Sequence, residues 1–280
     1  VGWGVVLNHG DTENTERKGK RMKDFKQVWS CGGGTQSCAI AALIVRGDLP
    51  KPDLAAIADT GYERATTWNY LDEVLRPALA TVGVEIHSVK AAEWAKPSMR
   101  GVFSNPGTLL IPAYTNESGE IGKFSSFCSG AWKANAVDRW LSQTHGITRS
   151  KCVKWIGFSY DEARRVNRMR EGAEFKAGLI RFPLIDDVLT NRAQAIALVE
   201  EMGWPTPPRS NCWMCPNQGD HEWRSLPPAE FLQAVEFERE IQKRDPNAFL
   251  HRSCTPLDKV NFEEEEDLFS RPCDSGMCFI

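Results

Sequence analysis

Phe25–Ile44 reads FKQVWSCGGGTQSCAIAALI. A short β-prone segment, Phe25 to Trp29, runs into Gly32, Gly33 and Gly34. Thr35, Gln36 and Ser37 follow, and then an apolar run suited to a buried helix. Glycines allow positive φ and a close approach of backbone to a ligand. The first turn of the next helix presents unpaired N–H groups and the positive end of its dipole. Strand, glycine turn and helix together form a phosphate cradle. The stretch lacks both GxxxxGK[ST] and GxGxxG, so it is neither a Walker-A loop nor a dinucleotide-binding turn. A tight β–α turn without a ligand is the alternative that the local pattern leaves open.

Outward from this stretch the chain alternates strand and helix. Gln36 to Arg46 reads as helix, and Asp53–Asp59 (DLAAIAD) as a buried parallel strand with a polar loop at its carboxyl end. Glu63 to Leu79 has helical spacing, with Trp68, Leu71, Val74 and Leu75 on one face, and Val84 to Val89 reads as a third strand. The pattern predicts an α/β fold with a doubly wound, mainly parallel sheet. Thr108 to Tyr114 is a weaker strand candidate inside an insertion. Ser129 to Gln143 is helical, Val153 to Phe158 is a strand, and Asp161 to Met169 is a capped helix. Leu179 to Ile185 is β-prone, and Thr190 to Met202 and Pro228 to Lys243 are helices. Asp59 lies where open sheets bind ligands, as a Mg²⁺ or ribose contact or as a helix cap. Gly157 admits a nucleotide or serves packing.

A net charge of −3 gives no global pull toward nucleic acid or an anionic membrane. No apolar run approaches the roughly 18 residues a spanning helix needs. Nine cysteines without a secretory signal point to a reducing cytoplasm, with cysteines as ligands or nucleophiles. Residues 1–24 are expected to be an extension or flexible N-terminus, with Met22 as a candidate start. The acidic run Glu263 to Asp267 reads as a solvated segment.

Ser30-Cys31-Gly32-Gly33-Gly34-Thr35-Gln36-Ser37 resembles the pyrophosphate loop, SGGxDS, of the N-type ATP pyrophosphatases, the PP-loop superfamily. It looks most like the phosphoadenosine-phosphosulfate (PAPS) reductase-like branch. Ala58–Glu63 (ADTGYE), Trp155–Ala163 (WIGFSYDEA), Arg181–Asp186 (RFPLID), Cys212–Pro216 (CWMCP) with Glu222-Trp223-Arg224, and Leu250–Ser253 (LHRS) fit in order. The resemblance implies an adenine nucleotide such as ATP, held by Ser30, Gly32 to Ser37, Asp59 and Gly157, with Mg²⁺ as a candidate ion. Gln36 stands where many members have Asp, which bears on metal dependence and ATP cleavage.

Cys212 and Cys215 form CxxC between proline-rich flanks, a spacing for one soft metal ion or two corners of an iron–sulfur cluster. Cys128 sits where related enzymes carry a cysteine, and Cys273 or Cys278 in the tail would complete four thiolates. The resemblance favours a [4Fe–4S] cluster, with zinc as the alternative. Cys31, Cys38, Cys152 and Cys254 read as structural. Cationic candidates for phosphate contacts are Lys133, Arg164, Arg165, Arg209, His251 and Arg252. Lys133 and Arg252 are the expected catalytic cations.

The implied activity is adenylation with release of pyrophosphate, linked to sulfur transfer. The partners would be a sulfur donor and an acceptor that in related enzymes is nucleic acid. One alternative is a sulfonucleotide reductase with Cys278 as the catalytic tail thiol and a thioredoxin-like partner. Another is a nucleotide or nucleic-acid binding module with a structural metal. The expected organisation is a PP-loop nucleotide-binding α/β domain over 25–205 and a cysteine-bearing helical and tail region over 206–280.

Overall fold

Val28 and Trp29 are adjacent, fully buried, and face opposite cores, which is the mark of a strand covered on both sides. The computed structural model describes residues 25–105 and 107–262. Its strands are β1 (Lys26–Cys31), β2 (Leu54–Asp59), β3 (Ile86–Lys90), β4 (Tyr114–Thr115), β5 (Gly122–Lys123), β6 (Cys152–Ile156) and β7 (Ile180–Arg181). Five of them form a parallel sheet ordered β3-β2-β1-β6-β7, in which Trp29 pairs with Ala55 on one side and Trp155 on the other. The chain winds outward from β1 in both directions, so the α/β, doubly wound expectation holds. The winding reverses between β1 and β6. Crevices at the carboxyl ends of strands flanking such a reversal are where open sheets take ligands.

The helices used below are α1 (Thr35–Arg46), α2 (Ala65–Tyr70), α3 (Arg76–Ala80), α4 (Asn135–His145), α5 (Ala163–Glu171), α6 (Arg192–Glu201), α7 (Asp220–Arg224) and α8 (Pro228–Gln242). On one face α1 and α6 pack together over Trp29 and Trp155, with Leu71, Leu75 and Leu79 beside them. On the other, Val137, Trp140 and Leu141 of α4 cover Val28, Ala56 and Val89. Each fully buried aliphatic side chain contributes about 1.5–3 kcal/mol. The helix expected over Glu63 to Leu79 is α2 and α3 joined by a π turn, Leu71–Leu75. A second π turn, Ser129–Ala134, opens α4.

A further core joins the insertion after β3 to the C-terminal part. Leu109, Leu110, Ile111, Trp132, Met214, Trp223, Val235 and Leu250 pack there. The strand expected over Thr108 to Tyr114 is mostly absent: Tyr114–Thr115 forms an antiparallel hairpin with Gly122–Lys123, and otherwise there are only single bridges, Leu109 to Phe103 and Tyr114 to Phe249. Those residues are apolar because they are buried, not because they are laddered. The β-prone run Leu179 to Ile185 is cut to two strand residues, since Pro183 opens a helical turn, Pro183–Asp186. Among the described residues no helix is long and apolar enough to cross a membrane.

Candidate functional site

At the reversal point lies a cavity of about 310 Å³, walled by the glycine turn, the start of the π turn before α4, the end of β6, and the loop 207–217. The glycine turn is built for close approach. The Gly32 N–H donates to Ser37 Oγ at 2.8 Å, which folds the turn back onto the first turn of α1. Gly33 has φ +72°, and a Cβ there would lie 2.7 Å from the Thr67 methyl. A Cβ at Gly34 would meet the Ser210 backbone nitrogen at 3.2 Å, so the cysteine-bearing loop closes directly on the turn. The Thr35 hydroxyl, in the cavity wall, is buried without a hydrogen-bond partner. A buried hydroxyl without a partner, at the N-terminus of a helix whose first-turn N–H groups carry its positive dipole end, is the chemistry of an anion site.

Gln36 Nε2 donates to Glu162 Oε2 at 3.1 Å and to Ser159 Oγ at 3.3 Å. Glu162 also caps its own turn, taking the Ser159 N–H at 3.2 Å, and its other oxygen is held by Arg165. Gly157 is in the wall, and a Cβ there would sit 3.3 Å from Gln36 Cβ and 3.4 Å from Ile40 Cδ1. Gly157 thus packs against α1 while facing the cavity.

Four cationic side chains line the cavity: Lys133, Arg165, Arg192 and Arg209. Three of them are held by carboxylates. Glu63, nearly fully buried, accepts from Lys133 Nζ at 3.2 Å and from Ser210 Oγ at 2.7 Å. Arg209 pairs with Glu222 at 3.0 Å, and Arg165 with Glu162. Burial alone would pull the Lys133 ammonium pKa down. The Glu63 carboxylate, ion-paired with it and accepting its hydrogen bond, outweighs this and holds it above the ordinary lysine range.

The thiols share this cavity. Cys128, Cys212 and Cys215 all line it. Burial pushes the Cys212 thiol up to about 12, against the pull of Lys133. Burial likewise pushes Cys215 up to about 11, opposed by a backbone hydrogen bond from Asn217. Cys212 Sγ lies 3.8 Å from Thr60 Oγ1, and Cys128 Sγ 3.7 Å from Ser126 Oγ. The CxxC loop is stitched to the ADTGYE stretch: Glu63 and Cys212 form an antiparallel bridge, and the Trp213 N–H donates to Tyr62 O at 2.9 Å. Three soft thiols suit iron–sulfur or zinc chemistry in kind. As placed, no three His, Cys, Asp or Glu side chains among the described residues close into a metal-holding group. Cys273 and Cys278 lie outside the described residues.

Other expected residues sit elsewhere. Ser30 and Gly33 are not in the cavity wall. Neither is Asp59, whose Oδ1 accepts the Gly61 N–H at 2.9 Å inside the loop; it does not cap the next helix, which starts at Ala65 with Arg64 as its N-cap. Arg252 is turned to Asp220 at 3.2 Å, and His251 Nε2 donates to the other Asp220 oxygen at 3.0 Å. Both brace the segment after α8 against the start of α7, away from the cavity. Sequence reasoning did not assign Glu63, Glu162, Ser210 or Asn211 to the site. Their signal was position inside ADTGYE and WIGFSYDEA and beside CxxC, and no local pattern gave them roles.

No family model and no curated protein matches the chain. Among solved structures it is similar to the U34-tRNA thiolase NcsA from Methanococcus maripaludis with its [4Fe-4S] cluster. The identity is 14%, over 89% of this chain and 80% of that one, with a TM-score of 0.38.

Proposed function

We propose that the cavity binds an adenine nucleotide with its phosphates on Gly32 to Ser37, and that the chain adenylates a substrate with release of pyrophosphate in a sulfur-transfer reaction. The carrying observation is the buried, partnerless Thr35 hydroxyl at a glycine turn ringed by four cations, with three thiols in the same cavity. Backbone N–H groups of the turn would take phosphate oxygens. Lys133, Arg165, Arg192 and Arg209 would neutralise charge that develops as pyrophosphate leaves. In that step a substrate oxygen forms a bond to the α-phosphorus while the bond to the bridging oxygen of pyrophosphate breaks. A sulfur nucleophile then forms its bond to the activated carbon as AMP departs.

Cys128, Cys212 and Cys215 would hold a [4Fe–4S] cluster, or zinc, on the donor chemistry of the set. Bound there, such a group supplies a soft site for sulfur. Because the Cys212 and Cys215 thiols are protonated at neutral pH, loading it must release their protons. Two experiments test the reading. Titration calorimetry with ATP and a pyrophosphate-release assay over candidate acceptors should show binding and release; absence of both sinks the adenylation reading. Iron, sulfide and zinc analysis of anaerobically purified protein decides the thiol site, and Cys212→Ser should lower the bound metal.

A further inference from the structure

The resemblance implies a divalent cation at the phosphate loop, and the residues of the cavity do not fit one. Mg²⁺ takes oxygen ligands in near-octahedral order and is usually anchored by one or two carboxylates besides the phosphates. Position 36, where a carboxylate is expected, carries an amide, and its Nε2 is spent on Glu162. Glu162 is itself fully engaged by Gln36, Ser159 and Arg165. Asp161, the other acid in the wall, is exposed, and its Oδ2 takes the Arg192 N–H at 3.2 Å. Asp59 accepts the Gly61 N–H outside the wall. Among the described residues, then, each carboxylate near the loop already holds a donor.

The positive charge is arranged the other way round. Lys133 and Arg209 reach the cavity from carboxylates, Glu63 and Glu222, that are not in the wall. The cations face the ligand and their counter-charges stand behind them. A divalent ion placed among them would be repelled at short range, and freeing Glu162 to bind it would break its charge-assisted contacts with Gln36, Ser159 and Arg165. The buried Thr35 hydroxyl suits a phosphate oxygen directly.

We propose that this cavity takes its phosphate ligand as the metal-free polyanion, with Lys133, Arg165, Arg192 and Arg209 doing the neutralisation that Mg²⁺ performs elsewhere, and with the Gln36–Glu162 pair keeping the ion out. The inference rests on the reading of the cavity as a phosphate site. It is tested by calorimetric titration of the full chain with inorganic pyrophosphate and with ATP at fixed ionic strength, in EDTA and in excess Mg²⁺. The expected affinity in EDTA is equal to that in Mg²⁺ within about threefold, or tighter. Affinity more than threefold weaker in EDTA overturns the inference and leaves the phosphate reading standing. No binding of either anion under either condition overturns both. Gln36→Asp, which sets a second carboxylate against Glu162, should weaken metal-free binding about tenfold and regain it with Mg²⁺. A Gln36→Asp protein that keeps its native circular dichroism and its metal-free affinity also counts against the inference.

Discussion

Gly33 shows how much a single residue carries at this turn. Its φ of +72° excludes most side chains, and Thr67 fills the space a Cβ would need. Gly33→Ala is therefore expected to cost about 2 kcal/mol or more in denaturant unfolding. Thr67→Ser in that background should recover the part due to the methyl clash and leave the backbone part, which separates the two causes. Cys31, one position before the glycines, makes a different point. Burial pushes its thiol up to about 11, and hydrogen bonds from Gly33 and Ser37 only partly offset this. A free thiol in the unfolded chain ionises near about 8.5. Between those values the unfolded state sheds a proton that the folded state keeps, so stability is full below the unfolded pKa and falls as pH rises. Cys31→Ala should remove about 1–2 kcal/mol of that loss at pH 10, read as a flatter alkaline limb in chemical denaturation.

At the scale of elements, the site is made by loops that meet from distant parts of the chain. The strands were legible because β1, β2 and β6 are apolar on both faces, and the turn after β1 because three glycines interrupt them. The thiol loop was legible as CxxC. What joins them was not. Glu63 binds Lys133 from 70 residues away and Ser210 from 147, and Gln36 meets Glu162 across 126. Such pairs have no local periodicity, and only the fold brings them together. The π turn Ser129–Ala134 is similarly silent in sequence, yet it sets Lys133 in the wall beside Cys128. Glu63 is thus the hinge pin between the glycine turn and the thiols. Glu63→Ala should weaken pyrophosphate binding by about tenfold or more, because it frees both Ser210 and Lys133. Glu63→Gln can still accept from Ser210 and should fall between the two in the same titration.

At the scale of the whole molecule, the glycine turn and the thiol loop are held by different cores. The sheet core holds the glycine turn, whereas the second core holds the thiol loop through α7, α8 and the segment that follows. Besides the Asp220 contacts of His251 and Arg252, that segment is held by a buried carboxylate of α8. Glu238 is 1% exposed and accepts the Leu250 N–H at 2.7 Å and the Leu257 N–H at 2.6 Å. Burial raises its pKa, and the two backbone bonds and Arg239 recover only part of that cost. Removing it leaves two buried donors without partners, each worth about 1–3 kcal/mol. Glu238→Ala should therefore lower stability by about 2–4 kcal/mol, and native-state hydrogen exchange shows where. If the cores open separately, the Leu250 and Leu257 amides exchange faster in the variant while those of Val28 and Trp29 keep their protection. Equal acceleration in both sets would show one cooperative unit, and any weakness in the segment after α8 would then reach the glycine turn itself.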